Sequence, residues 1–321
     1  MPSRHLVDPE VLVLIEQFPR LELDYQTLVQ TRAAMLAMRT AHPAADPEVV
    51  VTERLIPGPA GAPDVRVMIS ASKSEGENRP GVLHVHGGGY VLGSAEMTLP
   101  TDAAYVTRMD AVVVSVDYRL APETPHPGPV EDCYAALAWL HAHAGDLGVD
   151  AGRVAVTGES AGGGLAAALV LLARDRGEFP VAFQHLIFPM LDDRTVLEAD
   201  PSPYVGQFVW TREANRFGWA SLLGQEPGGA EISPYASPAR ATDLAGLPPT
   251  FIMCGALDLF IEEDMDYARR LIRAGVPTEL HVYPGAPHGF TMVEGAAVSK
   301  RNFHESMGAM QRALAPAAGS A

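Results

Sequence analysis

One serine stands in a glycine-framed turn between an apolar strand and an apolar helix. The segment from Gly158 to Gly162 reads Gly-Glu-Ser-Ala-Gly. Residues 153–157 before it are short and β-branched, which predicts a strand, and residues 163–172 after it predict a buried helix. A turn this tight leaves no room for side chains, which explains its two glycines. The chain is therefore constrained to an α/β fold that exposes the hydroxyl of Ser160 at a strand end.

Strands and helices alternate along most of the 321 residues. The predicted strands are 48–56, 64–70, 81–86, 111–117, 153–157, 184–188, 249–254 and 278–283. The predicted helices are 8–18, 22–41, 98–109, 129–143, 161–176, 212–223, 261–274 and 297–314. The first two strands form a hairpin across the turn-rich residues 57–63, and strand 278–283 lies at the sheet edge. This pattern predicts an eight-stranded, mostly parallel, doubly wound sheet flanked by helices.

An unusually long connection separates the sixth and seventh predicted strands. It contains a helix and four aromatic residues, which are Phe208, Trp210, Phe217 and Trp219. We predict that 192–230 is a cap insertion and that the N-terminal helices of 1–45 form the rest of this cap. The core is then 46–191 and 231–321. For most of these aromatic residues, packing within the cap is a better explanation than substrate contact.

A run of three glycines, His86-Gly87-Gly88-Gly89, follows the apolar strand 81–86. Glycines in such a loop leave backbone N–H groups bare and let the chain approach a ligand closely. Two of these amides, with the amide of Ala161, can form an oxyanion hole that stabilises a negative oxygen. A flexible glycine loop is the alternative. We interpret His86 as a structural residue that anchors the loop.

A candidate base and a candidate acid follow the last two strands. His288 is followed by glycine and lies downstream of strand 278–283, where a general base is expected in the order Ser, acid, His. Asp258 lies just past strand 249–254 and can orient His288 and stabilise its imidazolium. Helix capping is the alternative role for Asp258, because acids favour a helix N-terminus. Glu262 is the alternative acid.

The amino-acid composition limits the classes of binding partner and the cellular compartment that we expect. The formal net charge is −16 at pH 7, which argues against nucleic acids and anionic membranes as partners. Cys133 and Cys254, the only cysteines, fall in a predicted helix and a predicted strand and are interpreted as buried free thiols. The sequence shows no signal peptide and no apolar stretch of about 20 residues, so we expect a cytoplasmic protein.

Four motifs in one order resemble the hormone-sensitive-lipase-like carboxylesterases, bacterial family IV of the α/β-hydrolase superfamily. They are His86-Gly87-Gly88-Gly89, residues 117–123, residues 158–163 and His288-Gly289-Phe290. The resemblance covers roughly residues 45–315. It implies Ser160 as nucleophile, His288 as base, Asp258 as acid and oxyanion donors at the amides of Gly88, Gly89 and Ala161. It also implies a helical cap and no cofactor.

Two positions depart from the pattern of this family. No proline follows Asp258, which leaves Glu262 open as the acid, and Glu159 stands where many members have aspartate. We expect Glu159 to be structural. Within residues 117–123 we expect Arg119 and Glu123 to form an internal ion pair.

The resemblance implies a serine carboxylesterase. A cap over the site predicts short- to medium-chain acyl esters as small-molecule substrates. Amide or lactone hydrolysis on the same scaffold is an alternative, and so is a catalytically silent protein that only binds a ligand. Strand 278–283 can pair with a second chain to give a homodimer, or Glu279 and His281 can blunt this edge and keep the chain monomeric.

Overall fold

The computed structural model describes residues 3–18, 22–40, 46–74 and 76–316. The predicted end of the second helix at 41 and the predicted cap boundary at 45 lie outside these residues. An eight-stranded sheet has the order β1-β2-β4-β3-β5-β6-β7-β8. Its strands are β1 Val49–Ile56, β2 Val65–Ser72, β3 Arg79–Val85, β4 Val112–Asp117, β5 Val149–Glu159, β6 Phe183–Ile187, β7 Thr250–Gly255 and β8 Thr278–Tyr283.

The sheet confirms the predicted topology. β1 pairs antiparallel with β2, and β2 with β4, whereas every pairing from β4 through β3 and β5 to β8 is parallel. The predicted hairpin and the predicted edge position of β8 are both present. The strands at the centre are buried on both faces because helices cover both sides of a parallel sheet. Val154, Ala155 and Val156 of β5 are fully buried.

Eight α-helices accompany the sheet in the described ranges. They are α1 Leu12–Gln17, α2 Leu28–Thr40, α3 Leu99–Met109, α4 Gly128–Ala142, α5 Ala161–Arg176, α6 Arg212–Leu223, α7 Ile261–Arg273 and α8 Ala297–Ala313. From α3 onward the predicted bounds agree with these to within about two residues. α5 follows Ser160 directly, and its residues from 161 to 173 are all buried.

The N-terminal helices differ from the prediction. A short 3-10 helix, Pro9–Val11, precedes α1, and the carboxylate of Asp8 accepts a hydrogen bond from the Glu10 amide. The helix predicted from residue 22 begins only at Leu28. The carboxylate of Asp24 accepts hydrogen bonds from the amides of Gln26 and Thr27 at 2.8 and 2.7 Å, which closes a turn there. A side chain that bonds its own following backbone competes with helix formation.

The N-terminal segment contacts both the insertion between β6 and β7 and the core. Tyr25 packs edge-on against Phe217 of α6, with ring centroids 5.0 Å apart. The hydroxyl of Ser3 donates a hydrogen bond to Gln207 at 2.9 Å. From α2, Arg32 donates to the carbonyls of Val91 and Ala121, at 2.7 and 2.8 Å.

The two cysteines are buried and free, as the sequence predicts, so no disulfide joins Cys133 to Cys254. Burial raises the pKa of both thiols, which makes them poor nucleophiles. Throughout the described part of the chain, no helix has both the length and the apolar character that crossing a bilayer requires.

The parallel strands determine where the functional loops meet. β3, β5, β7 and β8 all run in the same direction, so the loops that follow them lie along one edge of the sheet. Ligands of open α/β sheets bind at this carboxyl edge. The glycine loop, Ser160, Asp258 and His288 each follow one of these four strands.

Candidate active site

Ser160 occupies the strained turn between β5 and α5. Its backbone angles are φ 56° and ψ −123°, a sparsely populated conformation that costs about 1–3 kcal/mol. The surrounding backbone holds this conformation. The amide of Ser160 donates to the carbonyl of Ile187 at 2.9 Å, and its carbonyl accepts from the amides of Gly164 and Met190 at 3.0 and 2.9 Å. Ser160 is only 7% exposed.

The glycines around Ser160 are required by backbone contact. A Cβ atom on Gly158 would lie 2.2 Å from the carbonyl oxygen of Gly162. A Cβ atom on Gly162 would lie 2.1 Å from the carbonyl oxygen of Val85. Both distances are below any real contact, and backbone atoms cannot move away as a flexible side chain can. The turn therefore tolerates only glycine at these two positions, as its sequence pattern predicts.

Ser160, His288 and Asp258 form one hydrogen-bonded chain. The Nδ1–H of His288 donates to Oδ2 of Asp258 at 2.7 Å, which leaves Nε2 to accept from the hydroxyl of Ser160 at 3.0 Å. We infer this tautomer from the carboxylate, which can only accept. Asp258 is fully buried and His288 is 6% exposed. Oδ1 of Asp258 also accepts from the Phe260 amide at 3.1 Å.

Among the described carboxylates, Asp258 is the one that contacts His288. Its other oxygen accepts from the amide of Phe260, the residue just before α7, which closes a local turn, and no described side chain caps that helix. Glu262 lies on the first turn of α7, where burial and the nearby Glu198 raise its pKa. The geometry therefore favours Asp258 over Glu262 as the partner of the histidine.

Three aromatic rings surround the imidazole of His288. The ring centroids of Phe188, Phe260 and Trp210 lie 4.8, 5.2 and 6.5 Å from that of His288. These rings restrict the movement of the imidazole and exclude water around its bond to Asp258. The sequence analysis did not single out Phe188 and Phe260. Both follow a parallel strand, β6 or β7, and this position at the carboxyl edge of the sheet could have indicated them as residues of the site.

The glycine loop after β3 lies beside Ser160, since a Cβ atom on Gly87 would lie 3.4 Å from the Cβ atom of Ser160. Gly88 and Gly89 have φ angles of 119° and 61°, a region that favours glycine. Neither amide, nor that of Ala161, hydrogen-bonds another described residue. A Cβ atom on Gly88 would lie 2.2 Å from the Leu92 carbonyl oxygen. The three amides are thus free to donate to a ligand oxygen.

The insertion between β6 and β7 lies directly on this loop. A Cβ atom on Gly89 would lie 2.1 Å from the ring of Trp210, and one on Gly218 would lie 2.7 Å from the Gly89 carbonyl oxygen. The indole N–H of Trp210 donates to Asn215 at 3.0 Å, which fixes the ring. Trp210 is buried, as are Phe208 and Trp219. Trp210 forms a wall of the site against Gly89 and His288, and Trp219 packs on Tyr90 with ring centroids 5.2 Å apart, so these two rings contact residues outside the insertion.

His86 anchors the start of the glycine loop. Its Nδ1 is 2.8 Å from the Gly87 carbonyl oxygen, and its ring stacks on Tyr118 with centroids 4.2 Å apart. The hydroxyl of Tyr118 donates to the His86 carbonyl at 2.9 Å. These contacts agree with the structural role predicted for His86.

The predicted ion pair between Arg119 and Glu123 is wrong. Arg119 instead binds Asp132 of α4, which is fully buried, with its Nε and NH2 groups 2.7–3.1 Å from the carboxylate oxygens. Glu123 binds Arg32 of α2, at 2.7 and 3.0 Å. Each residue pairs instead with a side chain on a helix, α4 or α2. The short spacing between Arg119 and Glu123 in the sequence did not indicate these partners.

No described cluster of three or more His, Cys, Asp or Glu side chains has the geometry of a metal site. The arrangement of a hydroxyl, an imidazole and a carboxylate beside bare amides suits nucleophilic attack on a carbonyl group followed by stabilisation of the oxyanion.

Comparisons with known proteins show the family of this chain. The sequence profile of the alpha/beta hydrolase fold family matches residues 82–292. Esterase LipI of Mycobacterium tuberculosis is 35% identical over 295 residues, which cover 90% of this chain and 89% of the relative. Carboxylesterase NlhH of the same species is 34% identical over 325 residues, covering 97% and 98%. The solved structure of a bacterial heroin esterase has a TM-score of 0.91 and 41% identity, covering 97% of this chain and 99% of that one.

Proposed function

This chain belongs to the α/β-hydrolase family, and we propose that it is a serine carboxylesterase acting on short- to medium-chain acyl esters. One observation carries the proposal. The hydroxyl of Ser160, the imidazole of His288 and the carboxylate of Asp258 are joined by hydrogen bonds of 3.0 and 2.7 Å. Relatives whose names identify them as esterases or carboxylesterases cover most of the chain and support the same reaction.

In the acylation step, Oγ of Ser160 attacks the ester carbonyl carbon while its proton passes to Nε2 of His288. Asp258 stabilises the resulting imidazolium through its bond to Nδ1. The tetrahedral intermediate collapses when His288 returns the proton to the leaving alkoxide, which departs as an alcohol. Ser160 is left as an acyl ester.

The amides of Gly88, Gly89 and Ala161 are the proposed oxyanion donors. None of the three has a hydrogen-bond partner among the described residues, and Gly87 of the same loop lies next to Ser160. Donors that are already oriented need not reorganise as charge develops, and a single such donor is worth about 2.7–4 kcal/mol.

In the deacylation step, water replaces the alcohol. His288 removes a proton from the water, whose oxygen attacks the acyl carbon, and then returns the proton to Oγ of Ser160. The carboxylic acid leaves and the free hydroxyl is restored. No cofactor takes part in either step of this proposal.

We propose residues 1–45 and 192–230 as a cap over this site, on a core of 46–191 and 231–321. The contact between Tyr25 and Phe217 supports a cap made of both segments. The position of Trp210 against Gly89 supports its closeness to the reacting groups. A large ring held over the oxyanion loop leaves little depth for a long chain, which supports small acyl groups.

The proposed dimer uses β8, which lies at the sheet edge and exposes Leu280 and Val282 at 36% and 41%. The side chains of Glu279 and His281 on this strand bond each other at 2.7 Å. Dimerisation and a cytoplasmic location stay predictions.

The test is hydrolysis of p-nitrophenyl esters from acetate to palmitate by the protein and by its Ser160→Ala variant. We expect turnover that peaks at short or medium chains and falls by several orders of magnitude in the variant, because the nucleophile is lost while the fold stays intact. Substantial activity in folded Ser160→Ala would contradict the assignment. No turnover of any ester by the folded protein would favour the ligand-binding alternative.

A further inference from the structure

A row of buried polar side chains crosses the sheet next to the turn that carries Ser160. His84 of β3 stands in register with Ser115 of β4 and with Thr157 of β5. All three are at most 1% exposed. Alternate residues of a strand point to the same face, so Glu159, two residues after Thr157, is directed to the face that carries His84.

His84 is held between two carboxylates. Its Nδ1 donates to Asp102 of α3 at 2.6 Å, and its Nε2, which makes no hydrogen bond to a described residue, faces the carboxylate of Glu159 at the ion-pair distance of 3.5 Å. Asp102 is fully buried and also accepts hydrogen bonds from the hydroxyls of Thr98 and Ser115, at 2.9 and 2.7 Å. The histidine therefore links helix α3 to the residue that precedes Ser160.

These contacts keep His84 charged. Burial lowers the pKa of His84, but the carboxylates of Asp102 and Glu159 raise it more, and the net pKa is about 10. The other titratable groups nearby are Tyr105 of α3, with its ring centroid 6.0 Å away, and His185 of β6. Burial lowers the pKa of His185 to about 3, with a smaller contribution from the charge on His84. His84 is thus the imidazolium of this pair at neutral pH.

The bridge lies where the backbone pairing of β3 and β5 ends. The last paired residues are Val85 and Gly158. His84 is two residues before His86, which begins the oxyanion loop, and Glu159 is one residue before Ser160. The side-chain contact between His84 and Glu159 therefore connects the carboxyl ends of β3 and β5 at the point where their backbone hydrogen bonds stop.

We propose that His84, bridged between Asp102 and Glu159, is a positioning residue that fixes Ser160 relative to the amides of Gly88 and Gly89. This inference rests on the proposed esterase function. Catalytic groups must be held to within about 0.5 Å of their productive geometry, and a misplacement of about 1 Å can cost 10²-fold in rate. A bridge between the two strand ends controls that distance.

The kinetic test uses His84→Gln and Glu159→Gln, with His185→Gln as the matched control. His185 is an equally buried histidine on β6, with β5 between it and the strand of His84, and it is bonded to Thr157 and Ser306 at 2.8 and 2.6 Å. With p-nitrophenyl butyrate, we expect kcat of His84→Gln to fall roughly 30- to 100-fold while KM changes less than about 3-fold. His185→Gln should keep kcat within about 2-fold of the parent, even where its thermal midpoint is lower.

Glu159→Gln keeps the proposal testable if His84→Gln does not fold. The Glu159 side chain is 31% exposed, and glutamine preserves its length while removing its charge. We expect a smaller fall in kcat than for His84→Gln, and a larger fall for Glu159→Ala. Equal kcat values in the parent, Glu159→Gln and Glu159→Ala would overturn the proposal.

The pH dependence of stability tests the bridge without activity. Because the folded pKa of His84 is raised from 6.5 to about 10, its stabilisation is complete below pH 6.5 and disappears as the pH rises towards 10. The difference in thermal midpoint between the parent and Glu159→Gln should shrink over this range. A difference that is constant from pH 6.5 to 10.5 would overturn the ionic bridge.

Failure of the proposed esterase function and failure of the positioning role give different results. If the parent protein neither hydrolyses p-nitrophenyl butyrate nor is labelled at Ser160 by a phosphonate ester, the proposed function fails and this inference fails with it. If the parent is active and the two bridge variants match His185→Gln in kcat and KM, only the positioning role is overturned.

Discussion

Replacing Asp258 by asparagine changes the candidate triad with little change in shape. The asparagine oxygen can replace Oδ1 of Asp258 and still accept the hydrogen bond from the Phe260 amide, which is 3.1 Å long in the parent. Its NH2 group then faces Nδ1 of His288, which the carboxylate contacted at 2.7 Å. The imidazole must accept there, so its proton moves to Nε2. In that tautomer His288 cannot take the proton of Ser160.

The contacts give the size of this effect. A carboxylate and an imidazolium about 4 Å apart attract by about 4 kcal/mol at an effective dielectric constant of about 20, which corresponds to roughly 10³-fold in rate. Asp258 is fully buried, so bulk water does not screen this attraction. The wrong tautomer adds to the loss, and the same substitution in a serine protease costs about 10⁴-fold. We expect kcat for Asp258→Asn to fall roughly 10³- to 10⁴-fold.

The assay is kcat and KM for p-nitrophenyl butyrate, with circular dichroism as the check on folding. Glu262→Gln is the matched control, because it neutralises the carboxylate that the sequence left as the alternative acid. We expect that control to keep kcat within about 2-fold of the parent, since Glu262 does not orient the histidine. The reasoning is refuted if Asp258→Asn keeps a tenth of the activity or if Glu262→Gln loses more than Asp258→Asn.

Three further predictions concern the glycine loop, the proposed cap and helix α2. Gly89→Ala should lower kcat roughly 10²-fold, as loss of an oxyanion donor does, because its Cβ atom would lie 2.1 Å from Trp210 at a φ of 61°. Trp210→Ala should move the best p-nitrophenyl ester towards longer chains, with each added methylene worth about 0.8 kcal/mol, or roughly 4-fold in kcat/KM. Arg32→Met should lower the free energy of unfolding in urea by about 1.5–3 kcal/mol, because it removes the bonds from Arg32 to Glu123 and two carbonyls.

Each of these variants has a control within the chain. Gly145→Ala places a Cβ atom in open space and should leave kcat unchanged. Trp139→Ala removes a tryptophan that stacks on His143, so the chain-length preference should stay. Arg4→Met breaks an exposed pair with Glu16, which is worth less than about 1 kcal/mol. A variant that behaves like its control would contradict the corresponding prediction.

The sequence predicted the sheet well because buried parallel strands leave a strong pattern. The central strands are short runs rich in buried apolar residues, and the observed bounds of the eight strands differ from the predicted ones by one or two residues at most ends. β5 is the exception, since it begins at Val149 and not at 153. The carboxyl ends of parallel strands lie along one edge of the sheet. Residues that follow different strands could therefore be predicted to meet in one site.

Side-chain partners were much less predictable. Arg119 and Glu123 are four residues apart, yet they bind Asp132 of α4 and Arg32 of α2. His84 is one polar residue in an apolar strand, and its sequence neighbours say nothing of Asp102 or Glu159. Such pairings depend on how distant helices pack against the sheet, which local patterns do not encode.

The most direct test of the account is covalent labelling of the proposed nucleophile. The protein is treated with a p-nitrophenyl phosphonate ester, and the modified residue is located by peptide mass spectrometry. We predict a single adduct on Ser160, formed in step with the loss of esterase activity and formed far more slowly in His288→Ala. An adduct on another residue that accounts for the lost activity, or full activity after complete modification of Ser160, would contradict the account.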